Sequence, residues 1–337
     1  MKIDGGLMVA NPSDAGPAAR WLEEIGYAGA FTFEGPHDPF LPLAVAAEAT
    51  RRIELFTAIA VGFARNPMLL AHTGYDLQLQ SQGRFILGLG SQIQPHIEKR
   101  FSMPWSRPAA RMREMVLALR AIWRRWQHGE KLDFRGEFYT HTLMTPVFDP
   151  GPNPHGMPRV FLAGVGPVMT EVAGEVADGF FVHPFHTQDF VRDTTLPALE
   201  RGLHKSGRRR EDLQIACQVI VASGDRPERL EAAKQACRAH IAFYGSTPAY
   251  RPVLESLGRG ELQAELNQLS KRGAWLEMAT RIDDEILERV AVVGAPDEIA
   301  GKLRARCAGF ADRVSLVSQT SPDPAAWAHV VRALSEP

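Results

Sequence analysis

Apolar residues along the chain fall into two alternating patterns. Short, nearly continuous apolar runs are separated by longer stretches in which apolar side chains recur at three- and four-residue steps. The runs are Ile3–Val9, Ala28–Phe33, Ile53–Val61, Arg84–Gly90, Arg159–Ala163, Gly179–His183, Leu213–Ala222 and Val314–Ser318. Runs such as Ile53–Val61, apolar on both faces, suit a parallel sheet with helices outside and side chains filling the inside. The intervening stretches predict helices. Trp21, Leu22 and Ile25 mark the apolar face of the first, which stops at Gly26. Asn66-Pro67 gives a cap followed by proline for another, which closes at Gly83. Met112, Met115, Leu119, Ile122, Trp123 and Trp126 form the clearest amphipathic face. A short helix opens at Pro167, and a last one at Asp323-Pro324, again cap then proline.

This repeated strand–helix order predicts an α/β fold, a closed (β/α)8 TIM barrel. An open, doubly wound sheet has the same alternation and stays the alternative, since periodicity does not show closure. Two insertions are expected, one after strand four and a largely helical one over residues 223–312 before strand eight. The Pro/Gly-rich stretch 149–158 reads as a stiff connection within the barrel, so residues 1–337 are expected to form one domain.

Composition narrows the function. Lys and Arg number 38 against 39 Asp and Glu, so no global field favours nucleic acid or an anionic membrane surface. The densest basic run, Lys205 to Arg210, falls between a helix and a strand and reads as a solvated turn. No apolar run approaches the about 20 residues needed to cross a bilayer, and Met1-Lys-Ile-Asp-Gly-Gly does not resemble a signal peptide. Cys217, Cys237 and Cys307 are odd in number and far apart, which fits reduced, buried thiols in a cytoplasmic protein.

In such a barrel the chemistry gathers where strands end and helices begin. Two strand ends carry glycines: Gly88-Leu-Gly-Ser-Gln92 and Ala163-Gly-Val-Gly-Pro167. Glycines let backbone N–H groups approach an oxyanion, and the helix opening at Pro167 adds its positive end. A tight strand-to-helix turn without ligand explains the same residues. Neither cluster completes G-x-G-x-x-G, and no Gly-Lys-Ser/Thr is present, which disfavours a Rossmann site and a nucleotide triphosphatase. No G-x-S-x-G elbow and no suitably placed cysteine supports nucleophilic hydrolysis.

An ordered set of segments then becomes visible: Phe85 to Ser91, Gly136-Glu-Phe-Tyr139, Val160 to Pro167, Ala177-Asp-Gly-Phe180 and Val293 to Glu298. Together these resemble the bacterial luciferase-like superfamily. The stretch Gly90 to Trp105 resembles its branch that uses the deazaflavin coenzyme F420 rather than FMN. The resemblance implies a barrel, usually dimeric or larger, with a cofactor ring across the strand ends. It places the cofactor phosphate at Gly164, Val165 and Gly166, and the cofactor chain and ring beside Gly90, Ser91 and Gln92. It also implies a bulge after strand three behind the ring, often with a non-proline cis peptide, within Ala58-Ile59-Ala60. An ordinary trans strand end remains open there.

A deazaflavin carries carbon where flavin has N5, so it passes hydride and reacts poorly with oxygen. The protein must then position a small organic substrate and manage one proton. Candidate proton handlers are His37 and Asp38 after strand two, His96 after strand four and His183 ending strand six. Relatives often carry Asp-His after strand two; His37-Asp38 reverses that order. Gln92, Ile93 and Gln94 stand where some relatives carry an acid. His183, His186 and Asp189 are residue types that could bind a metal, but their spacing does not fix one face, and a pocket His183 with a surface His186 is the expectation, with no metal. Glu34 either faces the barrel mouth or pairs with an arginine, Lys99 and Arg100 read as a solvated helix face, and Leu254, Leu257, Leu262, Leu266, Leu269 and Trp275 form either a lid or an oligomer surface.

The functional expectation is an F420-dependent oxidoreductase acting on a small molecule. An FMN-dependent monooxygenase of the same fold is the alternative, and a non-catalytic flavin-binding barrel is a third reading.

Overall fold

In the computed structural model, residues 1–320 and 324–335 are described. Asp323, expected to cap the last helix, lies outside them. Eight strands form the barrel: β1 (Lys2–Gly6), β2 (Gly29–Thr32), β3 (Glu54–Thr57), β4 (Phe85–Gly90), β5 (Arg159–Gly164), β6 (Gly179–Val182), β7 (Gln214–Ser223) and β8 (Arg313–Val317). Every pairing between them is parallel and follows chain order. β8 returns to β1, with Lys2 opposite Arg313 and Asp4 opposite Ser315, which closes the barrel and excludes the open sheet.

The main helices are α1 (Ala15–Ile25), α2 (Leu41–Ala49), α3 (Pro67–Gln80), α4 (Pro108–His128), α5 (Pro167–Val176), α6 (Leu196–Lys205), α7 (Pro227–Gly245), α8 (Leu262–Lys271), α9 (Pro296–Cys307) and α10 (Pro324–Ser335). Their termini follow the local chemistry. Asn66 accepts the Met68 N–H at 2.8 Å ahead of Pro67, and Gly26 ends α1 with φ +103°. The apolar stripe of α4 is buried throughout, from Met112 to Trp126. Trp21 departs from expectation: it lies on the outer side of α1 at 43% exposure, while Leu22 alone of that trio is fully buried.

Inside the barrel the side chains stack in layers. At the N-terminal end, Arg313 is buried against both oxygens of Asp4 (2.7 and 2.6 Å) and against Glu54 (2.9 Å). Glu54 also receives Lys2 at 2.9 Å and Arg159. Above this ionic layer lie Phe31, Phe56, Ile86, Phe161, Phe181 and Ala216. The Arg313 guanidinium sits 5.0 Å from the Phe56 ring, so the two layers touch through a cation–π contact. The barrel interior is therefore filled, and barrels of this kind gather their chemistry at the C-terminal mouth.

Several shared segments turn out to be scaffold. The Glu114 carboxylate on α4 accepts the N–H groups of Glu137, Phe138 and Tyr139, and a Cβ on Gly136 would overlap that carboxylate. This ties down a small hairpin, Phe134–Arg135 with Thr140–His141, that hydrophobic periodicity did not show. Asp178 accepts the Val160 N–H at 2.8 Å and pairs with Arg120. The basic run Lys205 to Arg210 is a turn, though not a freely solvated one: Arg208 binds the Ala177 carbonyl at 2.7 Å and Arg210 pairs with Asp312.

Residues 223–312 are largely helical as expected, with one addition. Ala291–Gly294 forms a short strand that pairs with Ile220–Ser223 at the end of β7. The insertion carries its own core, in which Leu254, Leu262, Leu266 and Leu269 are buried and Leu257 packs against them. Phe185, from just after β6, sits in that core, so the insertion is bonded to the barrel mouth on the β6 and β7 side. These leucines hold the insertion together; Trp275, at 52% exposure, is left facing solvent.

Candidate functional site

β3 does not run straight to the mouth. Its ladder with β4 stops after Phe56, the Ala58–Ile59 peptide is cis, and the chain rejoins β4 at Ala60–Val61. The expected bulge therefore exists, at the residues named. Its neighbours show why β4 carries glycines. A Cβ on Gly88 would overlap the Thr57 carbonyl, and one on Gly90 would lie 2.8 Å from Ile59 Cδ1. The Gly88-Leu-Gly90 pattern makes room for the bulge. It need not be read as a phosphate loop.

Glu34 braces the bulge from β2. Its N–H donates to the Ile59 carbonyl (2.9 Å), and its carboxylate accepts the Val61 N–H (3.0 Å). The same carboxylate grips both Arg65 nitrogens, at 2.5 and 3.1 Å. Of the two readings of Glu34, pairing with an arginine is the one observed. Asp38 joins this network: one oxygen accepts the Phe40 N–H at 2.8 Å ahead of α2, and the other meets Arg65 at 3.3 Å. Among the expected proton handlers, Asp38 is thus engaged in helix capping and ion pairing, while His37 and His96 are solvent-exposed. Arg100 reaches the Gly35 carbonyl at 3.0 Å, and Lys99 is exposed.

The second glycine cluster behaves differently from the first. Gly164 packs under Met169, where a Cβ would come within 2.8 Å of Cγ. Gly166 has φ −73°, and nothing lies within 4 Å of the place its Cβ would occupy. Neither backbone conformation nor crowding demands glycine there. It opens onto the start of α5, where no side chain caps the helix. The N–H groups of the first turn at Val168 and Met169 are the groups an anion would engage. Ser91 and Gln92 are half-buried at the neighbouring strand end, with the Gln92 carbonyl accepting the Ser91 hydroxyl at 3.1 Å.

His183 follows β6 directly and is mostly enclosed by aromatic rings. Tyr244 meets it edge-on at 4.7 Å and Tyr250 lies 4.5 Å away, both from the insertion. Burial pushes its pKa down to about 3, and His240 nearby adds to the effect. The Phe185 N–H donates to His183 Nδ1 at 3.1 Å, so the neutral ring carries its proton on Nε2. His186 is not on the surface as expected. It is buried, Nδ1 donates to the His183 carbonyl at 2.8 Å, and Nε2 stands 3.6 Å from Cys217 Sγ. Burial, helped by the nearby Arg306, holds it neutral with a pKa of about 3. Asp189 instead pairs with Arg289, so the histidine–carboxylate trio considered for a metal is dispersed among separate partners. Tyr244, Tyr250 and His240 were missed by sequence reading. Polar aromatics clustered on the insertion were the available signal, but the insertion has no register that ties it to β6.

A cavity of about 540 Å³ opens at the opposite, N-terminal end, lined by Lys2, Glu23, Tyr27, Arg52, Glu54 and Arg84. Its polar groups already serve the scaffold: Glu23 accepts the N–H groups of Arg51, Arg52 and Ile53, and Arg84 binds the Ala47, Thr50 and Ile53 carbonyls. The candidate residues named from the sequence lie at the other end, the mouth.

The closed barrel, with its braced bulge and open α5 start, has the architecture of the α/β-barrel enzymes. The chain belongs to the luciferase-like monooxygenase family, whose model matches residues 2–313, and it is an oxidoreductase. It is 57% identical over 316 residues to an uncharacterized protein of Mycobacterium tuberculosis, covering 93% of this chain and 92% of that one. It is 27% identical to 5,10-methylenetetrahydromethanopterin reductase of Archaeoglobus fulgidus, over 83% of this chain and 81% of the relative. The solved structure of coenzyme F420-dependent tetrahydromethanopterin reductase from Methanopyrus kandleri superposes with a TM-score of 0.80 at 19% identity, covering 100% of this chain and 97% of that one. Among the described residues no helix is long and apolar enough to cross a membrane.

Proposed function

We propose that this protein is an F420-dependent oxidoreductase that moves a hydride between the deazaflavin and a small organic substrate. The observation that carries the reading is the pairing of two features in one mouth. The bulge at Ala58–Ile59, seated on Gly88 and Gly90, offers a raised backbone support for a flat ring. The uncapped start of α5 beside Gly166 offers N–H groups and open space for a phosphate. A flat ring carrying a phosphate-bearing chain fits both at once. The F420-dependent glucose-6-phosphate dehydrogenase of Nakamurella multipartita, 29% identical over 65% of this chain, supports the deazaflavin over FMN.

When bound, the deazaflavin supplies a ring carbon that accepts or gives hydride. Gly164, Val165 and Gly166 would hold its phosphate, Gly90, Ser91 and Gln92 would flank its chain, and Ala58, Ile59 and Ala60 would back its ring. Of the expected proton handlers, His183 has the surroundings of a substrate group, because its neutral ring is enclosed beside the strand ends. Asp38 serves instead to fix the loop after β2.

The family's description names a monooxygenase, and an FMN-dependent one is the competitor. Titrating the protein with F420 and with FMN, then following ring absorbance with substrate in air and under argon, separates the two. F420 binding with oxygen-independent bleaching or recovery of the ring is the expected result. Tight FMN binding with turnover only in air would replace it.

A further inference from the structure

The insertion does more than cover the barrel. Tyr244 at the end of α7 and Tyr250 just beyond it clasp the His183 ring, and His240, one turn earlier on α7, meets Tyr244 in a tilted contact at 4.3 Å. The Gln319 side chain, following β8, reaches the His240 ring. Four aromatic residues from two parts of the chain thus make one wall at the β6 side of the mouth. The wall is apolar in area yet rich in hydrogen-bonding tips. His183 presents an Nε2–H donor, since its Nδ1 is taken by the Phe185 N–H. His240 Nε2 is buried with no partner among the described residues. Leaving a buried polar atom without a partner is costly, and a hydrogen-bonding ligand relieves that cost.

Charge decides what kind of ligand fits. Burial keeps His183 and His240 neutral and raises both tyrosine hydroxyls, Tyr250 to about 12. Cations on the surrounding elements are consumed elsewhere. Arg238 binds the Ile282 carbonyl and Asp284, Arg251 pairs with Glu255, and Arg259 pairs with Asp283. Arg306, beneath the wall, donates to the carbonyls of His186, Arg289 and Val290. A phosphate or carboxylate placed on this wall would lose its hydration and meet no positive charge. A carbonyl or hydroxyl oxygen would accept from a neutral imidazole N–H, the arrangement in which a neutral histidine polarises a carbonyl.

We propose that His183, Tyr244, Tyr250 and His240 form the substrate wall, and that it selects an uncharged ketone or secondary alcohol over phosphorylated or carboxylated substrates. The proposal rests on the oxidoreductase reading above and adds the substrate class. His183 binds the substrate oxygen through Nε2–H, and the two tyrosine rings flank the apolar body of the substrate.

The test uses the full-length protein loaded with whichever of F420 or FMN binds, so cofactor identity is settled by titration before the wall is examined. Cyclohexanol and cyclohexanone are compared with glucose 6-phosphate and lactate, by turnover and by calorimetric binding. The expected preference in kcat/KM, or in affinity where turnover is slow, is about 100-fold for the uncharged pair. His183→Asn and Tyr250→Phe should each raise KM about tenfold with the cofactor Kd unchanged, the loss expected for one hydrogen bond or ring contact. Tyr250→Arg should move the preference towards glucose 6-phosphate or lactate. Circular dichroism and the cofactor Kd report whether each variant is folded, and any unfolded one is replaced by Tyr244→Phe. Better turnover or binding of the anions by the unaltered protein overturns the proposal. So does failure of both uncharged probes at millimolar concentration, or an unchanged KM in folded variants. Loss of F420 binding alone would overturn the cofactor assignment and leave the wall to be read with FMN.

Discussion

The Thr57 hydroxyl takes both backbone groups of Gly88, donating to its carbonyl at 2.7 Å and accepting its N–H at 3.0 Å. It does so at the point where β3 leaves the ladder, so the side chain replaces the strand partner that Gly88 loses. Thr57→Val keeps the shape and leaves two buried backbone groups unpaired. It should destabilise the protein by about 2–3 kcal/mol, read from the urea unfolding midpoint. Gly88→Ala drives a methyl into the Thr57 carbonyl and should cost about 3 kcal/mol or more. A wild-type midpoint for either variant would show that the bulge is not held this way.

Glu34 and Arg65 fasten three elements: the end of β2, the bulge, and, through Asp38, the start of α2. Arg65→Ala leaves the Glu34 carboxylate, 9% exposed, without its counter-charge. The expected loss is about 3 kcal/mol. Arg65→Lys should recover only part of it, because an ammonium cannot span both carboxylate oxygens as the guanidinium does. Full recovery by lysine in chemical denaturation would contradict a role for the bidentate geometry.

Gly166 allows stability and binding to be separated. Its side-chain space is open, so Gly166→Val should change folding stability by no more than about 1 kcal/mol. Cofactor affinity should fall by more than about tenfold, measured by fluorescence titration, as the branched side chain blocks the start of α5. Retained affinity in this variant would remove the phosphate from this strand end. Gly164 is the poorer probe, because a side chain there presses on Met169.

Acid should weaken the fold through His186. The native ring stays neutral down to about pH 3, whereas in the unfolded chain it takes up a proton near 6.5. Between those values the unfolded state binds more protons. The stabilisation is therefore complete above pH 6.5 and is lost as pH falls, with a slope of up to about 1.4 kcal/mol per pH unit from this residue. His186→Gln should flatten the stability–pH curve between pH 4 and 6 relative to the parent, whatever its effect at neutral pH. An unchanged slope would mean that His186 does not report its burial through protonation.

The eight strands were legible because each is a short apolar run punctuated by glycine, proline or a charged cluster, and the barrel's order follows from their succession. The Ala58–Ile59 bulge was readable only through resemblance: as a pattern, Ile53–Val61 is one continuous strand, and nothing local shows that Thr57 and Gly88 end the ladder early. Glycine patterning was ambiguous in an instructive way. Gly88 and Gly90 look like Gly164 and Gly166 in sequence, yet the first pair accommodates the protein's own backbone and side chain, and Gly166 faces open space. His183 stood out as a histidine at a strand end. His186 did not reveal its burial, because the loop after β6 has no periodicity and its cover, Cys217 and Arg306, is supplied from distant sequence. Tyr244 and Tyr250 were illegible for the same reason: the insertion's leucines show that it folds, and say nothing of which strand end it meets.

The ion pair between Asp4 and Arg313 spans 309 positions of sequence. During synthesis β1 emerges with a carboxylate destined for the barrel interior, and its guanidinium partner is made 309 residues later. Until then β1 has an open edge and its acid must remain hydrated, so the nascent barrel cannot seal from its beginning. Closure waits on the arrival of β8, which pairs with β1. A ribosome stalled before residue 313 would therefore display an unsealed sheet edge for chaperones or proteases to engage.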